Sequence, residues 1–435
     1  MNNKVPIVAI VGRANVGKSS LFNAIIGRRE AITSSEAGTT RDSLTAKASA
    51  GGKDFWLVDT AGLKSAEDEF ELTIQEQISE AAAAADIILA VTEADTSITD
   101  EDRRVATMAL KSRKPVVLLV NKADKAAVDT DEWRRLGVKE IFATSATQKT
   151  GLDGLMAYLA GELPPARIRR SSEVIKVSLL GRPNVGKSSL FNALARKQQA
   201  IVADRAGTTR DVNRAAIRFE GREIELMDTA GIRRSGKIER GVEQFSVLRA
   251  LAAVEESDIC LLLMDANELN VQLDQKIAGL IKEAGRGLIL VVSKWDSVDK
   301  DAFTHDQLSP QIAANFDFVP WAPLIFTSSE TGQNVAKIFE LVVEIHEQRQ
   351  LRVKTSELNH WLRQVVNDHP PAGLKNRQPK LNYMVQEENE FPNFKVFGAH
   401  TKFLHWSYKR YMERKFREQW PLTGTPLKFW FIEKH

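Results

Sequence analysis

Apolar runs recur along the first part of this chain, too short to span a membrane and too unbroken for half-exposed strands. IVAIV (7–11), WLVD (56–59), DIILAV (86–91), VVLLV (116–120) and IFATS (141–145) carry the continuous apolar character of strands buried on both faces. Between them lie helical stretches, one placing Leu21 and Phe22 inward and one Ala-rich, TIQEQISEAAAAA (73–85). The order then returns as IKVSLL (175–180), a helix with Leu190 and Phe191 inward, IELMD (224–228), DICLLLMD (258–265), LILVVS (288–293) and LIFTS (324–328). Strand–helix alternation of this kind predicts an α/β fold. Each half should form a mostly parallel sheet with helices on both faces and ligands at the strands' C-terminal ends.

After residue 350 the pattern changes. It reads helix (SELNHWLRQVVNDH, 356–369), strand (KLNYMVQ, 380–386), strand (FKVFGAH, 394–400), helix (KFLHWSYKRYMERKFREQW, 402–420) and strand (PLKFWFIEK, 426–434). In the long helix Leu404, Tyr408, Tyr411, Met412 and Phe416 form an apolar stripe, while Arg410, Arg414 and Arg417 recur on another face. The bland reading of that segment is a small aromatic core with a solvated basic face; the functional one is contact with RNA.

The repetition extends to sequence identity. GRANVGKSSLFN (12–23) and GRPNVGKSSLFN (181–192) differ only at Ala14 and Pro183. AGTTRD occurs at 37–42 and 206–211, and DTAG at 59–62 and 228–231, so both keep the offset of 169. The offset grows to 172 between NKAD (121–124) and SKWD (293–296), then to 183 between Ser145 and Ser328. A constant register followed by insertions describes duplicated domains with different surface loops. The stretch GELPPARIRRSSE (161–173) reads as an exposed linker.

Length and charge refine this picture. At 435 residues and 43% hydrophobic, the chain is long enough for about three domains with real cores. The net charge of +3 conceals an imbalance: residues 351–435 hold fifteen Lys/Arg against eight Asp/Glu, and the first 350 hold 45 against 49. Four of the eight Trp and three of the four Tyr also lie in that last segment. No apolar run approaches the roughly 18–20 residues of a membrane span. The start, MNNKVPIVAIVG, runs directly into the first glycine-rich loop and leaves no room for a signal peptide. A single cysteine, Cys260, sits in an apolar strand and reads as core packing. The expectation is a soluble, cytoplasmic monomer that does not engage membranes.

The chemistry lies in the repeated motifs. Both copies of G-x-x-x-x-G-K-[ST] are phosphate cradles, with Gly12, Asn15, Val16, Gly17, Lys18, Ser19 and Ser20 in the first. Gly181, Asn184, Val185, Gly186, Lys187, Ser188 and Ser189 form the second. Backbone N–H groups wrap a β-phosphate, the lysine meets the β- and γ-phosphates, and the serine hydroxyl ligates Mg²⁺. Thr40 and Thr209 would join Ser19 and Ser188 on the metal in the triphosphate state. Asp59 and Asp228 would hold it through water, and Gly62 and Gly231 would sense the γ-phosphate by N–H. NKAD selects the base: a buried Asp124 carboxylate accepts from guanine N1–H and the exocyclic amine, a donor pair adenine lacks. Lys122 would lie over the ring, Asn121 would tie this loop to the phosphate loop, and Ser145-Ala146 would offer a backbone contact to the guanine oxygen. In the second repeat the corresponding residues are Ser293, Lys294, Asp296 and Ser328-Ser329. GTP and GDP are therefore the expected ligands. An ATP-dependent kinase conflicts with Asp124 and Asp296.

With the tandem GRxNVGKSSLFN loops, DTAGIRRSGKIERGVEQFS (228–246) and SYKRYMERKFRE…GTPLKF (407–429), the chain resembles the EngA (Der) family of bacterial GTPases over nearly its whole length. The resemblance implies a first GTPase domain over 1–163, a linker over 164–173, a second GTPase domain over 174–350 and a KH-like domain over 351–435. It also implies a role in assembly of the large ribosomal subunit and contact with ribosomal RNA. Its switch regions would cover roughly 30–42 and 62–75, then 199–211 and 231–246, and nucleotide would rearrange the domains. Leu63 and Ile232 stand where Ras-like GTPases carry a water-orienting Gln, and Asn15 and Asn184 match a K⁺-coordinating Asn of related GTPases. K⁺ stimulation is thus implied, although the same Asn residues also suit a plain turn. A guanine-nucleotide sensor with incidental hydrolysis is the other functional reading. Three departures stand out. The second domain has Ser293 for the loop-bridging Asn and Ser329 for Ala, and the tail has FPNFKVFGAH (391–400) where the family shows PPTFVLFVN. No GXXG loop is present in the tail. Weaker guanine affinity is expected at the second site.

Overall fold

The computed structural model describes residues 5–27, 45–60, 74–126, 128–163, 174–197, 214–228, 247–269, 271–298, 304–374, 377–389 and 391–434. Thr40, Gly62, Leu63, Thr209, Gly231 and Ile232, the switch regions that contain them, and the linker 164–173 lie outside the described residues. The chain divides into two compact units: Met1–Arg167 with Ser246–Glu255, and Ile168–Phe245 with Glu256–His435.

The first repeat runs β1 (Ile7–Val11), α1 (Lys18–Ile26), β2 (Thr45–Ala50), β3 (Lys53–Asp59), α2 (Ile74–Ala84), β4 (Ile87–Glu93), α3 (Asp100–Lys111), β5 (Val116–Asn121), α4 (Thr130–Trp133), β6 (Glu140–Ala143) and α5 (Leu152–Glu162). Its sheet has the order β2-β3-β1-β4-β5-β6, parallel except for the β2–β3 pair. Every residue of β1, β4 and β5 is buried, which explains their unbroken apolar runs. Leu21 and Phe22 pack beneath them with Leu155 and Leu159.

The second repeat runs β7 (Val174–Gly181), α6 (Lys187–Lys197), β8 (Arg214–Phe219), β9 (Arg222–Asp228), α7 (Val247–Glu256), β10 (Ile259–Asp265), α8 (Gln272–Glu283), β11 (Gly287–Ser293), α9 (Thr304–Asn315), β12 (Leu324–Phe326) and α10 (Lys337–Arg349). The order β8-β9-β7-β10-β11-β12 reproduces the first sheet strand for strand. The edge strands β2 and β8 have no counterpart among the apolar runs in the sequence. TAKASA and RAAIRF are too polar to register, and they form by antiparallel pairing along β3 and β9. The mostly parallel α/β sheets are as the sequence predicts.

In the first sheet β1 lies between β3 and β4, and in the second β7 lies between β9 and β10. The strand order reverses there, and such a topological switch point is where open α/β sheets bind ligands. Cys260 is fully buried in β10, and desolvation pushes its thiol up to about 12, so it packs as a neutral small side chain.

The last module is α11 (Thr355–Asp368), β13 (Lys380–Gln386), β14 (Asn393–Ala399), α12 (Trp406–Gln419) and β15 (Lys428–Glu433). The α-β-β-α-β order is as expected, with β13 antiparallel and β15 parallel to the central β14. Leu358, Trp361, Phe394, Tyr408, Met412 and Phe416 form its core, so the apolar stripe of the long helix faces inward. Leu404 shares that core but precedes the helix. One expectation fails here. Arg417 does not belong to an exposed basic face: it donates to Glu413 Oε1 at 3.0 Å and to the carbonyls of Leu422 and Thr425, each at 3.1 Å. The loop after α12 thus folds back over it, and its guanidinium also lies 5.5 Å from the ring of Trp321, which precedes β12. Among the described residues no helix is long and apolar enough to cross a membrane.

Candidate nucleotide sites

Each phosphate loop is built by a strand that ends too close to its neighbour for any side chain. A Cβ on Gly12 would meet the Val91 carbonyl oxygen at 2.5 Å, and one on Gly181 would meet that of Leu263 at the same distance. The chain then turns through Asn15 (φ 65°) or Asn184 (φ 62°), a left-handed conformation that Asn tolerates best after Gly. Helix α1 or α6 begins at the lysine, so its first N–H groups face the loop.

The two lysines occupy matching positions. Lys18 Nζ donates to the carbonyls of Gly12 (2.7 Å) and Arg13 (2.5 Å), and Lys187 Nζ to those of Gly181 (3.1 Å) and Arg182 (2.6 Å). Burial pulls the Lys18 amine below its ordinary pKa, with Asp59 opposing that shift. Ser19 Oγ donates to Asp59 Oδ2 at 2.6 Å, and Ser188 Oγ to Asp228 Oδ2 at 2.9 Å. A hydroxyl and a carboxylate side by side are hard oxygen donors that suit Mg²⁺. Partners predicted from separate motifs thus meet in both repeats.

The base loops differ. Asn121 is buried; its Nδ2 donates to Val16 O at 2.9 Å, and its Oδ1 accepts from Ala146 N at 3.2 Å. It therefore ties the phosphate loop, its own loop and the Ser145-Ala146 loop together. Ser293, which replaces the loop-bridging Asn, is equally buried and keeps part of the bridge. Its Oγ donates to Val185 O (2.6 Å) and Met264 O (2.9 Å), so the tie to the phosphate loop survives. The tie to the Ser328-Ser329 loop does not, among the described residues, because a hydroxyl lacks the reach of an amide. The freed space is measurable: a Cβ on Gly17 would lie 2.4 Å from Asn121 Nδ2, whereas one on Gly186 would lie 3.9 Å from Ser293 Oγ.

Asp124 is exposed rather than buried, as is Asp296. A hydrogen bond from the Ser145 hydroxyl holds Asp124 below the ordinary carboxylate range. Lys122 and Lys294 adopt left-handed φ of 61° and 56°. Each is held by an acid that sequence reasoning missed, Glu93 for Lys122 and Asp265 at 2.6 Å for Lys294. The available signal was positional: the strands DIILAVTE and DICLLLMD both end in a carboxylate, at the same spacing ahead of that lysine. Also missed were Arg13 and Arg182, which pack into acidic clusters beside the loops.

Residues 7–122 and 176–294 match the family profile described as a 50S ribosome-binding GTPase, and residues 352–431 match the KH-domain-like C-terminal region of EngA bacterial GTPase enzymes. The chain is 42% identical over 433 residues to the GTPase Der of Chloroflexus aggregans, covering 97% of this chain and 96% of that one. It is 39% identical over 429 residues to the GTPase Der of Gemmatimonas aurantiaca, covering 98% of each. The chain belongs to the EngA (Der) GTPase family. As a Der-family enzyme it binds guanine nucleotide and hydrolyses GTP to GDP and phosphate, and its third module is the family's KH-like domain.

Proposed function

We propose that this Der-family GTPase is an assembly factor for the large ribosomal subunit, in which GTP orders the switch regions and rearranges the domains, and hydrolysis releases the particle. The reading rests on one observation above all: two near-identical phosphate cradles are joined to unlike base loops in a chain that also carries a basic, aromatic KH-like module. The 50S ribosome-binding description of the matching family supports the same partner. In that module Trp406 is exposed with the Arg410 guanidinium 4.9 Å from its ring, and Lys428 lies 4.1 Å from the Trp430 ring. Flat rings beside cations suit stacking on single-stranded rRNA bases, although no GXXG clamp is present.

In this reading the domains are 1–163, 174–350 and 351–435, and the protein works as a cytoplasmic monomer. Lys18 and Lys187 neutralise the β- and γ-phosphates. Ser19 and Ser188, with Thr40 and Thr209, hold Mg²⁺, while Asp59 and Asp228 act on it through water. Gly62 and Gly231 read the γ-phosphate by N–H. Asp124 and Asp296 select guanine, and Lys122 and Lys294 cover the ring. The missing second bond at Ser293 makes the second site the weaker one. Asn15 and Asn184 are exposed at the turn of each loop, in keeping with K⁺ coordination. Faster hydrolysis in KCl than in NaCl is expected, and equal rates would remove the K⁺ role.

The deciding experiment is co-sedimentation with large ribosomal subunits in GDP and in a non-hydrolysable GTP analogue. Binding is expected with the analogue and release with GDP, with Lys18→Ala and Lys187→Ala each weakening the response to a different extent. Equal binding in both nucleotides, unaffected by either variant, would overturn the assembly-factor reading in favour of a nucleotide sensor with incidental hydrolysis.

A further inference from the structure

In the first domain one carboxylate serves both ends of the nucleotide site. Glu93 closes β4 directly beside Asn121 in the ladder, is 6% exposed, and pairs with Lys122 of the base loop and with Arg13 of the phosphate loop. Burial alone would raise its pKa, but the bonds from Lys122 and Arg13 outweigh that and hold it below the ordinary carboxylate value. Arg13 also donates to Thr96 Oγ1 at 3.0 Å and lies 3.4 Å from Asp102, while its own carbonyl accepts from Lys18 Nζ. A continuous path therefore runs from the base-covering lysine through Glu93 and Arg13 to the phosphate lysine.

The second domain has the same parts wired differently. Glu93 and Asp265, Thr96 and Glu268, and Asp102 and Asp274 are equivalent pairs, each at the offset that separates NKAD from SKWD. Where Thr96 is neutral, Glu268 is an acid, and it captures Arg182 at 2.7 Å, with Asp274 at 3.2 Å on the other side. Asp265, one methylene shorter than Glu93, holds Lys294 alone among the basic side chains of the described residues.

We infer that Glu93 is a positioning residue that couples base recognition to phosphate binding in the first domain, and that the second domain keeps these two functions on separate carboxylates. The inference rests on the site assignment above. Lys122 is held in a left-handed conformation that a non-glycine residue keeps only when its surroundings over-determine it, and the Glu93 ion pair is part of that determination. Losing the carboxylate frees the stem that covers the base and loosens the arginine whose carbonyl seats Lys18.

The test uses the full chain with a fluorescent GDP analogue. A Lys187→Ala background reports the first site, and a Lys18→Ala background the second. Glu93→Gln should speed GDP release from the first site about tenfold, and Glu93→Asp should recover most of the loss. Combined with Arg13→Gln it should release no more than about twofold faster than Glu93→Gln alone, since one path is broken once. Asp265→Asn and Arg182→Gln should instead multiply. Thermal midpoints identify any variant that fails to fold, in which case Glu93→Asp, expected near threefold, carries the test. Unchanged release in Glu93→Gln, or multiplying effects in the first site, overturns the inference. Full GDP binding at the first site in Lys18→Ala overturns the site assignment and this inference with it.

Discussion

At the scale of single residues, one side chain separates two sites that share a phosphate cradle. Asn121 has both a donor and an acceptor, and it uses both to join three loops. Ser293 spends its hydroxyl proton on the carbonyls of Val185 and Met264. Ser293→Asn fills the space beside Gly186 and restores the second tie, so it should tighten GDP at the second site about fivefold, the value of one net hydrogen bond of about 1 kcal/mol. Equilibrium titration in a Lys18→Ala background measures this, and unchanged or weaker binding would show that the bridge does not limit affinity. The motifs naming these residues were legible in the sequence. Glu93 left only a positional mark, a carboxylate closing its strand, and Arg13 left none, because an ion pair between segments distant along the chain carries no local pattern.

At the scale of elements, the phosphate loops show how identical sequence meets unequal surroundings. Gly17 and Gly186 share φ of 90°, so replacing either with Ala strains the backbone, roughly 1–2 kcal/mol for such a conformation. Gly17→Ala additionally drives its Cβ into Asn121 Nδ2, whereas Gly186→Ala finds 3.9 Å of room. Gly17→Ala should therefore abolish nucleotide binding at its site, while Gly186→Ala weakens its own about tenfold. Equal losses in the two would contradict this difference in room. Strands buried on both faces were readable from their apolar runs, and the P-loop lysine marks where helix α1 or α6 starts. The edge strands β2 and β8 were not readable, since their formation depends on pairing with β3 and β9 rather than on their own residues.

At the scale of the molecule, the third module packs with the second GTPase module in one unit, joined by Leu288 N to Gly424 O at 2.9 Å and Gly424 N to Trp321 O at 2.8 Å. This packing gives the arginines of α12 unlike surroundings, Arg417 held within it and Arg410 exposed. Arg417→Gln should lower the thermal midpoint by several degrees, because roughly 2 kcal/mol of charge-assisted hydrogen bonds and packing on Trp321 are lost. Arg410→Gln should leave the midpoint unchanged, weaken co-sedimentation with the large subunit and reduce its salt slope by about one. The reverse pattern would assign the RNA-facing role to Arg417.

The sequence by itself determined what depends on local periodicity and on fixed spacing: two parallel-sheet GTPase modules, two phosphate loops, a guanine-reading motif, and a distinct basic module after residue 350. Backbone hydrogen bonding and burial impose those periods wherever the segments occur. Only the tertiary structure decided how the parts are tied. It exposed Asp124, packed Arg417 against its own C-terminal loop, and gave Arg13 and Arg182 different acidic partners. Ion pairs and loop contacts depend on which chain ends meet in space, and near-identical cradles became unequal sites through neighbours that their own residues do not specify.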